Sequence, residues 1–325
     1  MDDKKYIHIC ALGGTIAMAP SNDGEGVHPT LTSDDLIAAV PKLQGYARLT
    51  THTLAKSGSA NLTFEHAVGI IDYAAKAESN GADALVITQG TDTLEEMSFI
   101  ISLVWSGAIP IIFTAAMRHP ASEHADGPLN LLAAVQAACQ LHKGVYVVMN
   151  NEIHDPSYVQ KCHTATLGAF SSENGPVGVV VDGYIRMSHT LSILPPLDKE
   201  RLKSPYRVAL LSPALDDTPW QLEAALDQKF DAMVVASFGG GHVSELWADA
   251  LRPVAPKIPI ILASRVGRGQ MLKDTYGYKG AEIDLLNAGL VSSGRLDARK
   301  ARLFLSLQRS LNPADLKKGF NAFLE

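Results

Sequence analysis

Cysteine is scarce in this chain, with only Cys10, Cys139 and Cys162 among 325 residues and no CxxC or other metal-type spacing. Three thiols cannot all pair, so a disulfide framework is excluded and free thiols in a reducing compartment are the simplest account. Charge of one sign is also lacking. No run of five Lys or Arg occurs, and 28 Lys+Arg against 34 Asp+Glu leave a formal net charge of -6. That balance offers little to a phosphate backbone or an anionic lipid surface, so neither nucleic acid nor membrane is expected as a partner. Apolar residues make up 46% of the chain, yet no stretch reaches the roughly 18 consecutive apolar residues of a spanning helix. The opening Met1-Asp2-Asp3-Lys4-Lys5 leads into a short apolar run broken by Gly13-Gly14, which is unlike a secretory signal. A cytoplasmic protein is expected, unless a leader has been removed. Neither GxGxxG nor GxxxxGK[ST] nor HExxH is present, and His119 with His124 or His154 with His163 lack the surroundings of a metal site. No metal or other cofactor is expected.

What is there is a regular alternation of short apolar runs with stretches of helical period, the pattern of parallel strands joined by helices. The fold class is α/β, and the length suits two domains. Residues 6–11, 84–88 (ALVIT), 109–114 and 145–149 read as strands, and 64–79, 94–105 and 129–141 as helices. Together they describe a doubly wound, mainly parallel sheet. Residues 151–190 are less regular and suggest hairpins or irregular cover, with 177–181 among the β-like runs. The adjacent Pro195-Pro196 favours an extended connector, so the chain divides into an N-terminal domain at 1–191, a linker at 192–205 and a smaller α/β domain at 206–325. In that second domain strands are predicted at 207–211, 232–236 and 258–262. Its helices are predicted at 221–228, 243–251, 282–288, 297–308 and 313–323, the last capped by Asn312.

Ligands of open parallel sheets bind beyond the carboxyl ends of the strands, which directs attention to the residues just after each one. The first strand is followed by Gly13-Gly14-Thr15-Ile16, where two glycines permit a sharp turn and place a hydroxyl at the sheet edge. Thr15 there is either a nucleophile or a turn residue bonded to its own backbone. ALVIT is followed by Gln89-Gly90-Thr91-Asp92-Thr93-Leu94-Glu95-Glu96. Asp92 or Thr93 capping a helix, with Glu95 or Glu96 closing a capping box, accounts for this pattern. A helix N-terminus that holds a carboxylate or a developing oxyanion beside the Thr91 hydroxyl accounts for it equally well. The third strand end, with Ala115 and Ala116 and then Asp126-Gly127-Pro128, has small residues that suit a substrate wall or plain packing. A threonine nucleophile requires a proton acceptor. Lysine serves where burial eases the loss of its charge, an effect that a nearby carboxylate opposes. Lys161, alone in a polar segment, is a candidate or else an ordinary surface lysine.

Taken together, GGTI, ITQGTDTLEE, AMR with ADGPLNL, and VQK, in this order, resemble the bacterial-type L-asparaginases, also called asparaginase/glutaminases. The likeness runs through nearly the whole chain. It implies hydrolysis of a side-chain amide to a carboxylate and ammonia through an acyl-threonine, without a cofactor. L-Asparagine is the implied substrate, with L-glutamine as a side substrate. On this resemblance Thr15 matches the loop nucleophile, and Thr91, Asp92 and Lys161 match a second, rigid triad. Ser57 matches the serine that binds the substrate α-carboxylate, Asp92 receives the α-ammonium, and Gly14, Gly58 and Ala116 line the substrate. Glu282 resembles a glutamate that reaches into a neighbouring subunit's site, so a homotetramer, a dimer of dimers, is implied.

The chain also departs from the family pattern. The lid after GGTI usually carries a tyrosine that activates the first threonine, and residues 19–33 contain none. His28 and Glu25 lie there instead, so either His28 stands in for it or Thr91 with Lys161 takes a larger share. Gln89 stands where many members have histidine, and His242 where others have asparagine or serine. Both bear on the choice between asparagine and glutamine, for which one methylene is worth about 1–3 kcal/mol. Three other readings are set beside the hydrolase. One is an amino-acid sensor with the same pocket, disfavoured because a binder has no use for Lys161. Another is the amidase subunit of a tRNA-dependent amidotransferase, for whose docking domain the chain has no room. The third, a nucleotide-binding protein, lacks the glycine fingerprint.

Overall fold

Five-residue apolar runs such as ALVIT and PIIFT bury every side chain, which a strand does only in a sheet covered on both faces. A computed structural model describes residues 4–20, 26–191 and 194–323 and shows how that cover is built. The chain forms two units, Met1–Lys199 and Glu200–Glu325. In the first the strands are β1 (Lys5–Gly13), β2 (Met18–Pro20), β3 (Val27–Pro29), β4 (Ala47–Ser57), β5 (Ala84–Thr88) and β6 (Pro110–Thr114). They are followed by β7 (Gly144–Met149), β8 (Glu152–His154), β9 (Val159–Lys161), β10 (Phe170–Ser172), β11 (Gly178–Val181) and β12 (Tyr184–Met187). Its helices are α1 (Ser33–Ala38), α2 (Leu43–Tyr46), α3 (Phe64–Ser79), α4 (Leu94–Val104) and α5 (Gly127–Gln140).

Eight of these strands form one sheet in the order β12-β11-β8-β7-β6-β5-β1-β4. β4, β1, β5, β6 and β7 run parallel, while β8, β11 and β12 extend the sheet antiparallel. This extension is the irregular region of the sequence. It consists of hairpins, and the left-handed residues Asn150 and Asn151, then Asp182 and Gly183, make the two-residue turns that such hairpins favour. Ile7, Ile9, Val86, Ile112 and Val148 pack on one face with residues of α1, α2 and α5, while α3 and α4 pack on the other. From β1 the chain steps to β4, then crosses back over β1 to β5. The direction of winding therefore reverses between β1 and β5, and in sheets of this kind a crevice opens there.

The second unit holds a parallel sheet of β13 (Val208–Leu211), β14 (Ala232–Ser237), β15 (Ile260–Ser264) and β16 (Val291–Ser292). Its helices are α6 (Trp220–Asp227), α7 (Glu245–Leu251), α8 (Glu282–Asn287), α9 (Ala298–Ser306) and α10 (Pro313–Asn321). Trp247 of α7 and Leu222 of α6 fill the core against Met233, Val235 and Leu262. Asn312 accepts a hydrogen bond from the Ala314 N–H at 2.9 Å and so caps α10. No described helix is long and apolar enough to cross a membrane.

Beneath α3 lies a polar cluster inside the first unit. His8 of β1 is 5% exposed, its Nδ1 is 2.9 Å from the Tyr73 hydroxyl, and its Nε2 is buried with no partner among the described residues. Tyr6 meets the His8 ring edge-on, Arg48 lies over Tyr6, and His52 stacks on Tyr73. Burial, and then His52, hold the His8 pKa below its ordinary value, while burial pushes the Tyr73 phenol up to about 12. An imidazole with a lowered folded pKa stays neutral when the unfolded chain already takes up a proton. Stability is therefore at its plateau above about pH 6.5 and falls as the pH drops toward the folded pKa, with a slope of at most about 1.4 kcal/mol per pH unit for one proton. Melting curves between pH 7.5 and 5 are expected to show this fall, and His8→Gln is expected to flatten it.

Candidate active site

The reversal point between β1 and β5 is built from backbone. Gly14, after β1, sits at φ +79°, and a Cβ added there would lie 2.1 Å from the Gly90 nitrogen. Gly13, at φ +96°, abuts the Ser57 backbone at the end of β4 just as closely, and the Gly14 N–H donates to the Ser57 carbonyl at 2.9 Å. Three strand ends thus meet with no room for side chains between them, which carries Thr15, Ser57 and Thr91 into one neighbourhood. A fourth joins them, since a Cβ on Gly127 would lie 3.1 Å from Ile16 and 3.4 Å from Ala116. Asp126 fixes that loop by accepting the N–H groups of Met117 and Arg118, each at 2.9 Å. Ala116 is buried.

The turn Thr91–Thr93 leads into α4. The capping-box account of its side chains fails. Thr93 occupies the cap position with no side-chain cap bond and donates instead to the Ser59 carbonyl at 2.8 Å. The Asp92 N–H donates to Ser59 Oγ at 3.1 Å, and the Glu95 carboxylate accepts the backbone N–H of Lys161. The polar groups of this helix start are engaged across the fold. Lys161, at the end of β9, brings Nζ to 2.8 Å from Thr91 Oγ1 and 2.6 Å from Asp92 Oδ1. Thr91 is buried, while the side chain of Lys161 is 17% exposed and that of Asp92 68%. An ion pair open to water to this degree adds little stability. What it does is hold a cation against a hydroxyl. The pair faces an open depression of about 510 Å³ that Cys162, His163 and Thr164 also line.

The structure therefore brings Thr91, Asp92 and Lys161 into direct contact and sets Gly14, Thr15, Ser57, Gly58 and Ala116 at the neighbouring strand ends and the turns that follow them. Thr15 is partly exposed, and its hydroxyl bonds to no described side chain. Gln89 is fully buried and donates to the Gly90 carbonyl. His28 is exposed on β3, and Glu25 lies outside the described residues. His242 and Glu282 belong to the second unit, where they meet each other. Glu282 is fully buried, with one oxygen accepting the N–H groups of Thr275 and Tyr276 and the other 3.3 Å from His242 Nε2. Burial works to raise its pKa, but those two N–H groups, aided by the N–H of Glu282 itself and by His242, outweigh it and hold the carboxyl below the usual range. His242 keeps 22% side-chain exposure, and the rings of Tyr276 and Tyr278 flank it. Among the described residues no three His, Cys, Asp or Glu side chains are arranged to hold a metal ion.

Sequence reasoning passed over Ser59 and left Glu95 as a helix cap. The signal for Ser59 is weak, since one serine among several after a strand carries no periodicity. Glu95 had a better one: a carboxylate on the buried side of a helix requires a partner.

A parallel sheet with a threonine, a lysine and an aspartate joined beside its reversal point is the arrangement of an α/β enzyme. The chain belongs to the asparaginase family: the model "Asparaginase, N-terminal" matches residues 6–192, and "Glutaminase/Asparaginase C-terminal domain" matches 207–320. It is 31% identical to a probable periplasmic L-asparaginase of Haemophilus influenzae, over 99% of this chain and 94% of that protein. It is 29% identical to L-asparaginase 2 of Escherichia coli, over 98% and 93%. The crystal structure of a probable cytoplasmic L-asparaginase from Campylobacter jejuni superimposes with a TM-score of 0.86 at 28% identity, covering 98% of this chain and 99% of that one.

The contact of Gly14 with Gly90 makes a specific demand on this site. Gly14→Ala would strain a left-handed position and drive a methyl group into backbone, so it is expected to cost about 2–3 kcal/mol or more. Urea unfolding measures this. Gly26, at φ +95° with nothing within 4 Å, is the control, and Gly26→Ala is expected to cost less because it adds no collision to the backbone strain.

Proposed function

We propose that the protein hydrolyses the side-chain amide of free L-asparagine to L-aspartate and ammonia through an acyl-threonine, with L-glutamine as a side substrate. The observation that carries this reading is the Lys161 ammonium, 2.8 Å from the Thr91 hydroxyl and 2.6 Å from the Asp92 carboxylate. A sensor has no use for a cation bonded to a buried hydroxyl, so that alternative is not favoured. The L-asparaginase names of relatives near 30% identity support the same substrate.

In the proposed reaction Thr15 Oγ1 bonds to the amide carbon. Its proton passes to the amide nitrogen, the C–N bond breaks, and ammonia leaves. Water then adds to the acyl-threonine, a proton returns to Thr15 Oγ1, and L-aspartate departs. Thr91, Lys161 and Asp92 hold and relay the protons in both halves. Ser57 binds the α-carboxylate, Asp92 the α-ammonium, and Gly14, Gly58 and Ala116 wall the pocket. His28 takes the place of the lid tyrosine. Further, the protein forms a homotetramer, a dimer of dimers, in which the second unit completes a neighbour's site. Glu282 is enclosed by Thr275, Tyr276 and His242, so His242 is the member of that pair open to a ligand. A cytoplasmic location, like that in the name of the Campylobacter jejuni protein, completes the proposal.

Ammonia release from L-asparagine and L-glutamine tests the reading. Thr15→Ala and Thr91→Val are each expected to lower kcat about 1,000-fold or more. Melting that asparagine raises without any turnover would return the protein to the sensor class. Full turnover in His28→Ala would remove that residue from the mechanism. Light scattering is expected to give about four times the 34.8 kDa chain mass.

A further inference from the structure

Lys161 must reach Thr91 within a hydrogen bond, yet the strand that carries it is a poor anchor. β9 and β10 have three residues each, pair only with one another, and stand apart from the eight-stranded sheet. A two-stranded ribbon of this length has little stability of its own. Phe170 of β10 is opposite Lys161, but the Lys161 N–H donates elsewhere, to the carboxylate of Glu95. Glu95 is 1% exposed and lies in the first turn of α4, directly after the turn that carries Thr91 and Asp92.

We infer that Glu95 is a positioning residue whose carboxylate grips the backbone of Lys161 and thereby sets the reach of the lysine to Thr91 and Asp92. This rests on the amidohydrolase reading and adds to it a residue that touches no substrate. The start of α4 carries both the groups that Lys161 must meet and the acceptor that holds the Lys161 backbone, so the three move as one body. Ser59 secures the other side of the same turn through Asp92 N–H and the Thr93 hydroxyl. A carboxylate is costly to enclose, and the first turn of a helix is where its charge is best tolerated. Without the grip, the backbone of Lys161 loses its directed bond to α4, and the reach of its side chain is set less sharply. A displacement of about 1 Å at a proton-relay group lowers turnover by up to about 100-fold.

The test compares Glu95→Gln, which keeps an acceptor and drops the charge, with Glu95→Met, which fills the space and offers no oxygen. Glu95→Met is expected to lower kcat on L-asparagine about 30- to 100-fold with KM within about threefold, and Glu95→Gln to stay within about fivefold of the unaltered protein. A Gln variant as slow as the Met variant, a Met variant at full kcat, or a loss carried by KM would overturn the assignment. Hydrogen exchange on the unaltered protein tests the grip independently of turnover and of whether the Met variant folds. The Lys161 amide is expected to exchange at least about tenfold more slowly than solvent-facing amides of the same ribbon, and equal rates would overturn the inference. Should the unaltered protein release no ammonia while its Lys161 amide is protected, the amidohydrolase reading fails and the grip stands.

Discussion

Everything at the candidate site depends on two backbones that meet at Gly14 and Gly90 with no side chain between them. β1 and β5 are neighbours in the sheet, but neighbouring strands alone leave their loops free to diverge. The left-handed turn at Gly14 folds the first loop onto the second, and its N–H bond to Ser57 draws in the end of β4. Thr15, Ser57 and Thr91 share one neighbourhood because glycine removes what would hold them apart.

Around that contact the polar side chains divide into those that reach solvent and those that hold other residues still. Asp92 and Thr15 are open to solvent, whereas Ser59, Glu95 and Asp126 are buried and bonded to backbone. The second unit repeats the scheme with a buried Glu282 behind a partly open His242. In each case a buried acceptor fixes a group that reaches toward solvent. Side chains with several rotatable bonds are thereby held within hydrogen-bond distance of their partners.

How far the sequence disclosed this follows from burial. β5 and β6 were legible because each is an apolar run closed by a single threonine and buried throughout, and α3 because its apolar stripe keeps a helical period over 16 residues. β4 was not, although it is the longest strand among the described residues. It lies at the sheet edge, half-exposed, and its Thr, His and Lys side chains carry no hydrophobic alternation. β9 is too short for any period to register. The start of α4 was ambiguous because helix caps and active sites draw on the same residue types, and only tertiary contacts decide between them. GGTI and TQGTDT disclosed the chemistry through family likeness, and nothing in their spacing required Lys161 to be their partner.

The register of the central strands has a consequence for how the protein is made. Gly13 pairs with Ser57 and Ala11 with Thr88, so the loops that meet at the site are joined through contacts between residues far apart in the chain. Parallel pairing of this kind closes large loops before it gains compensating contacts, and it forms slowly. No fragment ending before β5 contains the Gly14 and Gly90 contact, and none ending before β9 contains Lys161. A nascent chain can therefore close the Gly14 and Gly90 contact before Lys161 has been added, so the glycine turn is able to form ahead of the cluster of Thr91, Asp92 and Lys161 that it adjoins.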